Sequence, residues 1–156
     1  MTRTPQPTTL EVLRRLQGGL LLVGLAGAAT ELLLIGHHED LWQRIPLVTI
    51  GLGALAGIVL AAASRVSPPA LGLVRLFRAA MVLLILSGVA GVVLHYRANM
   101  AFKLEMDPSM SGFALFSSVV RAKAPPALAP ASLVLLGLLG LVSVFRRGDD
   151  PPPDPR

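Results

Sequence analysis

The chain has 156 residues, of which 53% are hydrophobic and 15% charged, and it contains no cysteine. Soluble domains carry about 25% charged residues, so this chain falls well short of an ordinary water-facing surface. Lack of cysteine excludes disulfides, thiolate zinc sites and cysteine-ligated iron–sulfur clusters. The net charge of +5 sits in basic residues that flank apolar blocks, which fits orientation in a membrane and not binding of nucleic acid.

Residues 1–8 are expected to be disordered. Thr8 to Glu11, "TTLE", fits a capping box that starts a helix just before the first apolar block. That block runs from Gln17 to Gly36, close to the roughly 20 residues needed to span about 30 Å of hydrocarbon. Arg14 and Arg15 precede it, and Ala26 to Ala28 resemble a signal-peptidase site. Apolar sequence resumes from Leu32 to Ile35, so an uncleaved membrane helix is the expectation.

A short polar stretch, "HHEDLWQR", separates this block from the second, Ile45 to Ser64. Pro68 and Pro69 in "SRVSPP" forbid a continuous helix into the third. The third span is placed at 75–95. Its helix is expected to begin near Leu71, with Arg75 and Arg78 snorkelling toward head groups. The connection from Arg97 to Pro126 is too long for a simple turn between helices. Within it Phe113, Phe116 and Val120 recur at helical spacing, which suggests a short interfacial helix, or else a cap over the helix ends. The fourth span is placed at 127–145, and the proline-rich, acidic tail 148–156 is expected to be disordered.

These elements predict an all-α, integral membrane four-helix bundle over residues 9–147, multi-pass, in the cytoplasmic (inner) membrane. With four spans the two termini share a side with Arg3, Arg14, Arg15, Arg65, Arg75, Arg78, Arg146, Arg147 and Arg156. The other side holds Arg44, Arg97, Lys103, Arg121 and Lys123. The positive-inside rule therefore makes both termini cytoplasmic. Small residues recur at Gly53 and Gly57, Gly24 and Ala28, Gly88 and Gly91, and Gly137 and Gly140. Such faces let backbones approach within one chain; the alternative is self-association or contact with another membrane subunit through a face such as Gly53 and Gly57.

The chain has three histidines, and this topology puts all of them on the outer face: His37 and His38 after the first span, His95 at the end of the third. Glu31 lies within the first span, where a carboxylate must be paired, protonated or turned inward. Arg97 and His95 are its candidate partners from a neighbouring helix. Glu31 and His38 are seven apart, two turns of one helical face.

For a divalent metal ion the candidate ligands are His38 and His95 with Glu39 or Glu105, and then His37. No HxxxH or HExxH spacing supports them. A b-type haem held by His95 and one of the pair is a lesser alternative. The plain reading is a wet boundary loop, with Trp42 and Tyr96 as interfacial anchors. No serine lies in a G-x-S-x-G elbow, and every glycine cluster falls inside an apolar span. The expected function is that of a non-catalytic accessory or interaction protein in the lipid bilayer; the alternative is a metal-binding or ion-handling protein built on the outer-face histidines.

Overall fold

A computed structural model describes residues 8–66, 68–122 and 128–147; of Leu128 it describes the backbone only. The described residues form helices and connecting turns, with no strand among them. In chain order the helices are α1 (Thr9–Leu34), α2 (Leu41–Val66), α3 (Leu71–Met106), α4 (Gly112–Val120) and α5 (Leu128–Ser143). Three of these, α1, α2 and α3, are long and apolar enough to cross a membrane.

Helix starts follow local chemistry. At α1 the Glu11 amide donates to Thr8 Oγ1 and the Thr8 amide donates to Glu11 Oε2, at 3.3 and 2.8 Å, so the expected capping box is present. At α2 the Gln43 amide donates to Asp40 Oδ1 at 2.9 Å, which satisfies one of the amides that a helix leaves open at its start. Pro69 and Ala70 precede α3, which begins at Leu71 as the sequence predicts.

Two expectations need correction. The first is the long outer loop from Arg97. Helix α3 does not stop near residue 95 but continues to Met106, so its 36 residues extend roughly 54 Å at about 1.5 Å each. The segment "RANMAFKLEM" is polar enough to look like a loop, yet it contains no proline or glycine to end the helix. A turn held by Asp107 follows, whose Oδ1 accepts from the amide and hydroxyl of Ser109 at 3.0 and 2.6 Å. The chain then folds back as α4, which packs on α3 through Val119 and through Phe116 against Tyr96, ring centroids 6.2 Å apart. The short helix expected around Phe113, Phe116 and Val120 is therefore present.

The second correction concerns the fourth span. Helix α5 is described from Leu128 and ends at Ser143, two residues before the expected 145, because Val144 to Arg147 form a turn; residue 127 lies outside the described residues. The tail 148–156 and residues 1–7 lie outside the described residues.

Helices α1, α2, α3 and α5 pack in a ring in which α1 and α3 each contact α2 and α5. Leu21 and Leu25 of α1 meet Ile50, Ala56 and Leu60 of α2, Val74, Phe77, Ala80, Met81 and Leu84 of α3, and Leu133 of α5 in one core. Large apolar side chains such as Val23, Leu55, Leu86 and Leu135 point outward and stand exposed, the pattern of helices that contact a lipid bilayer. Gly53 is buried, facing Met81 and Leu25, and Gly57 faces Leu22 and Phe77. This small-residue face thus packs against α1 and α3 of the same chain.

Helices α3 and α5 approach most closely. A methyl group on Gly88 would lie 2.7 Å from the Pro130 carbonyl oxygen and 3.0 Å from the Val134 amide nitrogen. Both obstacles are backbone atoms and cannot rotate away. Gly88→Ala is expected to lower the thermal midpoint of the detergent-solubilised protein, at a cost of about 1–3 kcal/mol. Gly18, where added bulk meets open space, serves as control: Gly18→Ala should leave stability unchanged or raise it by up to about 1 kcal/mol.

Candidate functional site

At the end of the ring remote from the chain termini, the four helices splay around a cavity of about 420 Å³. Ala28, Glu31, Leu32 and Ile35 line it from α1, the i, i+3, i+4, i+7 spacing of a single helical face. Ser87, Ala90, Gly91, Leu94, His95 and Ala98 do the same from α3. Trp42, Gln43 and Pro46 close it from α2, and Ala129, Pro130, Ser132 and Leu133 from α5. Mostly apolar walls with a few convergent polar groups are the usual make-up of a small-molecule site.

The termination of α1 decides which histidine reaches this cavity. Gly36 has φ +69°, the left-handed region open to a residue without Cβ. The Gly36 amide donates to the Leu33 carbonyl at 3.2 Å and the His37 amide to the Leu32 carbonyl at 2.8 Å, the paired bonds of a Schellman motif. The chain turns back at this point, so His37, half-buried, joins the cavity lining. Its ring lies nearly parallel to that of His95, with centroids 6.0 Å apart and planes 19° apart.

His38 is exposed and does not line the cavity, and its carbonyl accepts from Arg44 Nε at 3.0 Å. The expected helical register between Glu31 and His38 is therefore corrected: α1 ends at Leu34, and the residue brought to Glu31's cavity is His37.

Other expected site residues separate as follows. Glu31 and His95 line the cavity together. No hydrogen bond or ion pair joins Glu31 to Arg97 among the described residues. Arg97 lies roughly a quarter turn away from the α3 face that lines the cavity, at about 100° per residue. Glu39 is exposed and outside the cavity; its amide donates to Gln43 Oε1 at 2.9 Å. Glu105 stands ten residues beyond His95 on the protruding part of α3, roughly 15 Å along the axis. Among the described residues no three His, Cys, Asp or Glu side chains gather closely enough to hold a metal ion. Trp42 lines the cavity at the start of α2, while Tyr96 packs under Phe116 outside it.

Ser87 is the residue that sequence reasoning missed. The hydroxyls of Thr30, Thr49, Ser64, Ser132 and Ser143 each donate to a carbonyl of their own helix. Ser87 Oγ is buried, lines the cavity and has no hydrogen-bond partner. A buried, unsatisfied hydroxyl costs about 1–3 kcal/mol, so a polar atom placed beside it gains correspondingly. The signal was present in "ILSGVAG", the one polar residue within an apolar run. Ser87 lies eight residues below His95 on α3, roughly 12 Å along the axis, well outside the reach of a nucleophile–base pair.

Comparison with known proteins gives no family model, no curated protein and no solved structure to which this chain is similar. What fold and site define together is a class: an all-helical protein with three helices able to cross a membrane.

Burial lowers the pKa of His37 below its ordinary 6.5, and the neighbouring His95 lowers it further, against an opposing pull from Asp40. A depressed histidine pKa means that the folded state favours the neutral ring. Its contribution is thus fully present above pH 6.5 and is lost as the pH falls below that value. The thermal midpoint in detergent is expected to drop between about pH 7.5 and about pH 5, less steeply in His37→Gln than in the wild type. Identical slopes in the two proteins would contradict this account.

Proposed function

We propose that the chain is a non-catalytic, multi-pass protein of the cytoplasmic membrane that binds a small amphipathic molecule in the cavity between its helix ends. In this reading α1, α2, α3 and α5 form a four-helix membrane bundle with both termini in the cytoplasm. Seven arginines, Arg14, Arg15, Arg65, Arg75, Arg78, Arg146 and Arg147, at the terminal end support that orientation. The cavity then opens at the outer face, with Trp42 and Tyr96 at the interface and α4 lying over the outer end of α3.

The observation that carries the reading is Ser87: a buried hydroxyl without a partner, in a cavity also lined by Glu31, His37, Gln43 and His95. A guest with one polar atom at Ser87 and another about 12 Å above would satisfy both levels while its apolar body met Ala90, Leu94 and Leu133. The neutral imidazole of His37 can offer one donor and one acceptor. Ser87 and His95 stand too far apart to act as a nucleophile–base pair. A metal-ion role would rest on His37 and His95 with a third ligand from the guest or from solvent.

Native mass spectrometry of the full chain, extracted from its own membranes in mild detergent, tests the reading. A one-to-one small-molecule adduct is expected, and Ser87→Ala should lower its occupancy about five- to tenfold without destabilising the protein, because the orphaned hydroxyl is removed. An adduct equally abundant in Ser87→Ala and in the cavity-filling variant Ala90→Phe would sink the proposal. About one zinc, iron or copper per chain, lost in His37→Ala and His95→Ala, would favour the metal role instead. Cysteine introduced at position 38 should be labelled from outside the cell; labelling only after permeabilisation would reverse the orientation.

A further inference from the structure

A second cavity lies at the opposite, terminal end of the ring. The chain leaves α5 in a turn, Val144 to Arg147, and arginines from other helices donate to the carbonyls of that turn. Arg78 Nη2 donates to the carbonyls of Val144 and Arg147 at 3.1 and 3.3 Å, and Arg14 Nη2 to that of Phe145 at 3.0 Å. Arg147 Nη2 donates to Ser64 Oγ at 3.0 Å. Each of these bonds uses one nitrogen of a group with five N–H donors, and every acceptor is neutral. Among the described residues of this end the one acid is Glu11, whose carboxylate is engaged by the Thr8 amide; Asp149, Asp150 and Asp154 lie outside the described residues.

Among the described residues, positive charge therefore accumulates here with little to balance it. Burial, and then the charge of Arg14, hold the Arg147 guanidinium below its usual pKa. Beside it is a cavity of about 530 Å³, lined by Arg78, Arg146, Leu141 and Phe145. Two cations next to two apolar side chains select an amphiphile with an anionic head. Guanidinium groups match a phosphodiester in particular, because two parallel N–H donors can meet two of its oxygens. Zwitterionic lipids bring an ammonium group that the arginines would repel.

We propose that this cavity holds the phosphodiester head group of an anionic phospholipid, gripped by Arg78 and Arg146, with its first methylenes against Leu141 and Phe145. The proposal rests on the membrane reading above but is independent of the guest at Ser87, which lies nine residues further along α3 than Arg78. Occupancy would link α3 to the turn after α5 through one anion, beside the bonds by which Arg78 already holds the carbonyls of Val144 and Arg147.

The test uses the full chain in a neutral detergent, with thermal midpoint as readout, titrated with short-chain phosphatidylglycerol, phosphatidylcholine of equal chain length, and inorganic phosphate. A ligand that binds only the folded state raises the midpoint with concentration. Phosphatidylglycerol is expected to stabilise at concentrations where phosphatidylcholine and inorganic phosphate do not. Arg146→Gln should weaken its apparent affinity about tenfold, the loss expected for a charge-assisted contact. Arg146 is exposed and takes no part in the carbonyl contacts, so this variant keeps the fold even where Arg78→Gln does not. Arg65→Gln, outside the cavity, should change nothing.

Equal shifts from the two lipids, or equal losses in the two variants, would overturn the site in favour of diffuse attraction. A response to inorganic phosphate matching that to phosphatidylglycerol would make the ligand a soluble phosphate compound and overturn the lipid assignment. Release of the chain from membranes by alkaline carbonate would refute the membrane reading itself, a failure distinguishable from either of these.

Discussion

The structure depends on how closely the backbones of α3 and α5 approach. Gly88, Gly91 and Gly137 sit at that contact, where a side chain on any of them would strike Pro130, Val134, Ile85 or the Met81 carbonyl. Between helices in lipid there is little hydrophobic drive, so van der Waals contact at short range supplies much of the association energy. Drawing α5 in at Gly88 and Gly91 also fixes the height of Pro130. Pro130 itself lines the cavity, opposite the α3 face that carries Ser87 and His95. The glycines that close the ring in its middle thereby determine where it stays open.

Local backbone chemistry then selects what faces that opening. The left-handed Gly36 brings His37 round instead of His38, and Asp40 starts α2 six residues before Pro46, which also lines the wall. Proline there has no amide to complete the bond to the Trp42 carbonyl, so the first turn of α2 is looser just where it borders the cavity. The arginines at the other end work in the opposite sense, closing a helix terminus by reaching across from α1 and α3.

Much of the architecture was legible because an apolar run of sufficient length needs no knowledge of its neighbours. The start of α3 at Leu71, the capping box at Thr8 and the short helix at Phe113 all follow from local sequence. What was not legible depended on three-dimensional context. A polar extension such as "RANMAFKLEM" remains helical when it continues a long helix and has α4 packed along it, yet its composition alone suggests a loop. Choosing His37 over His38 required the backbone angle of Gly36. Ser87 looked like the other hydroxyls of the apolar helices; only the arrangement of four helices shows that it alone among Thr30, Thr49, Ser64, Ser132 and Ser143 leaves its own backbone unbonded. Because the spans are apolar on every side, hydrophobic periodicity could not mark the inward faces. Glycines and alanines did so instead.

The unequal lengths of α3 and α5 have a consequence for the surroundings. In the proposed membrane bundle, the 16 described residues of α5 would extend roughly 6 Å less than a hydrocarbon layer of about 30 Å, while the neighbouring α3 would overshoot it. Such hydrophobic mismatch is relieved by local thinning of the bilayer or by tilt, at fractions of a kcal/mol per Å. Lipids along the α5 flank would have to shorten or splay, whereas those along α3 would not. A one-sided deformation of this kind would draw thin regions of membrane, or other short-helix proteins, to one particular side of the molecule.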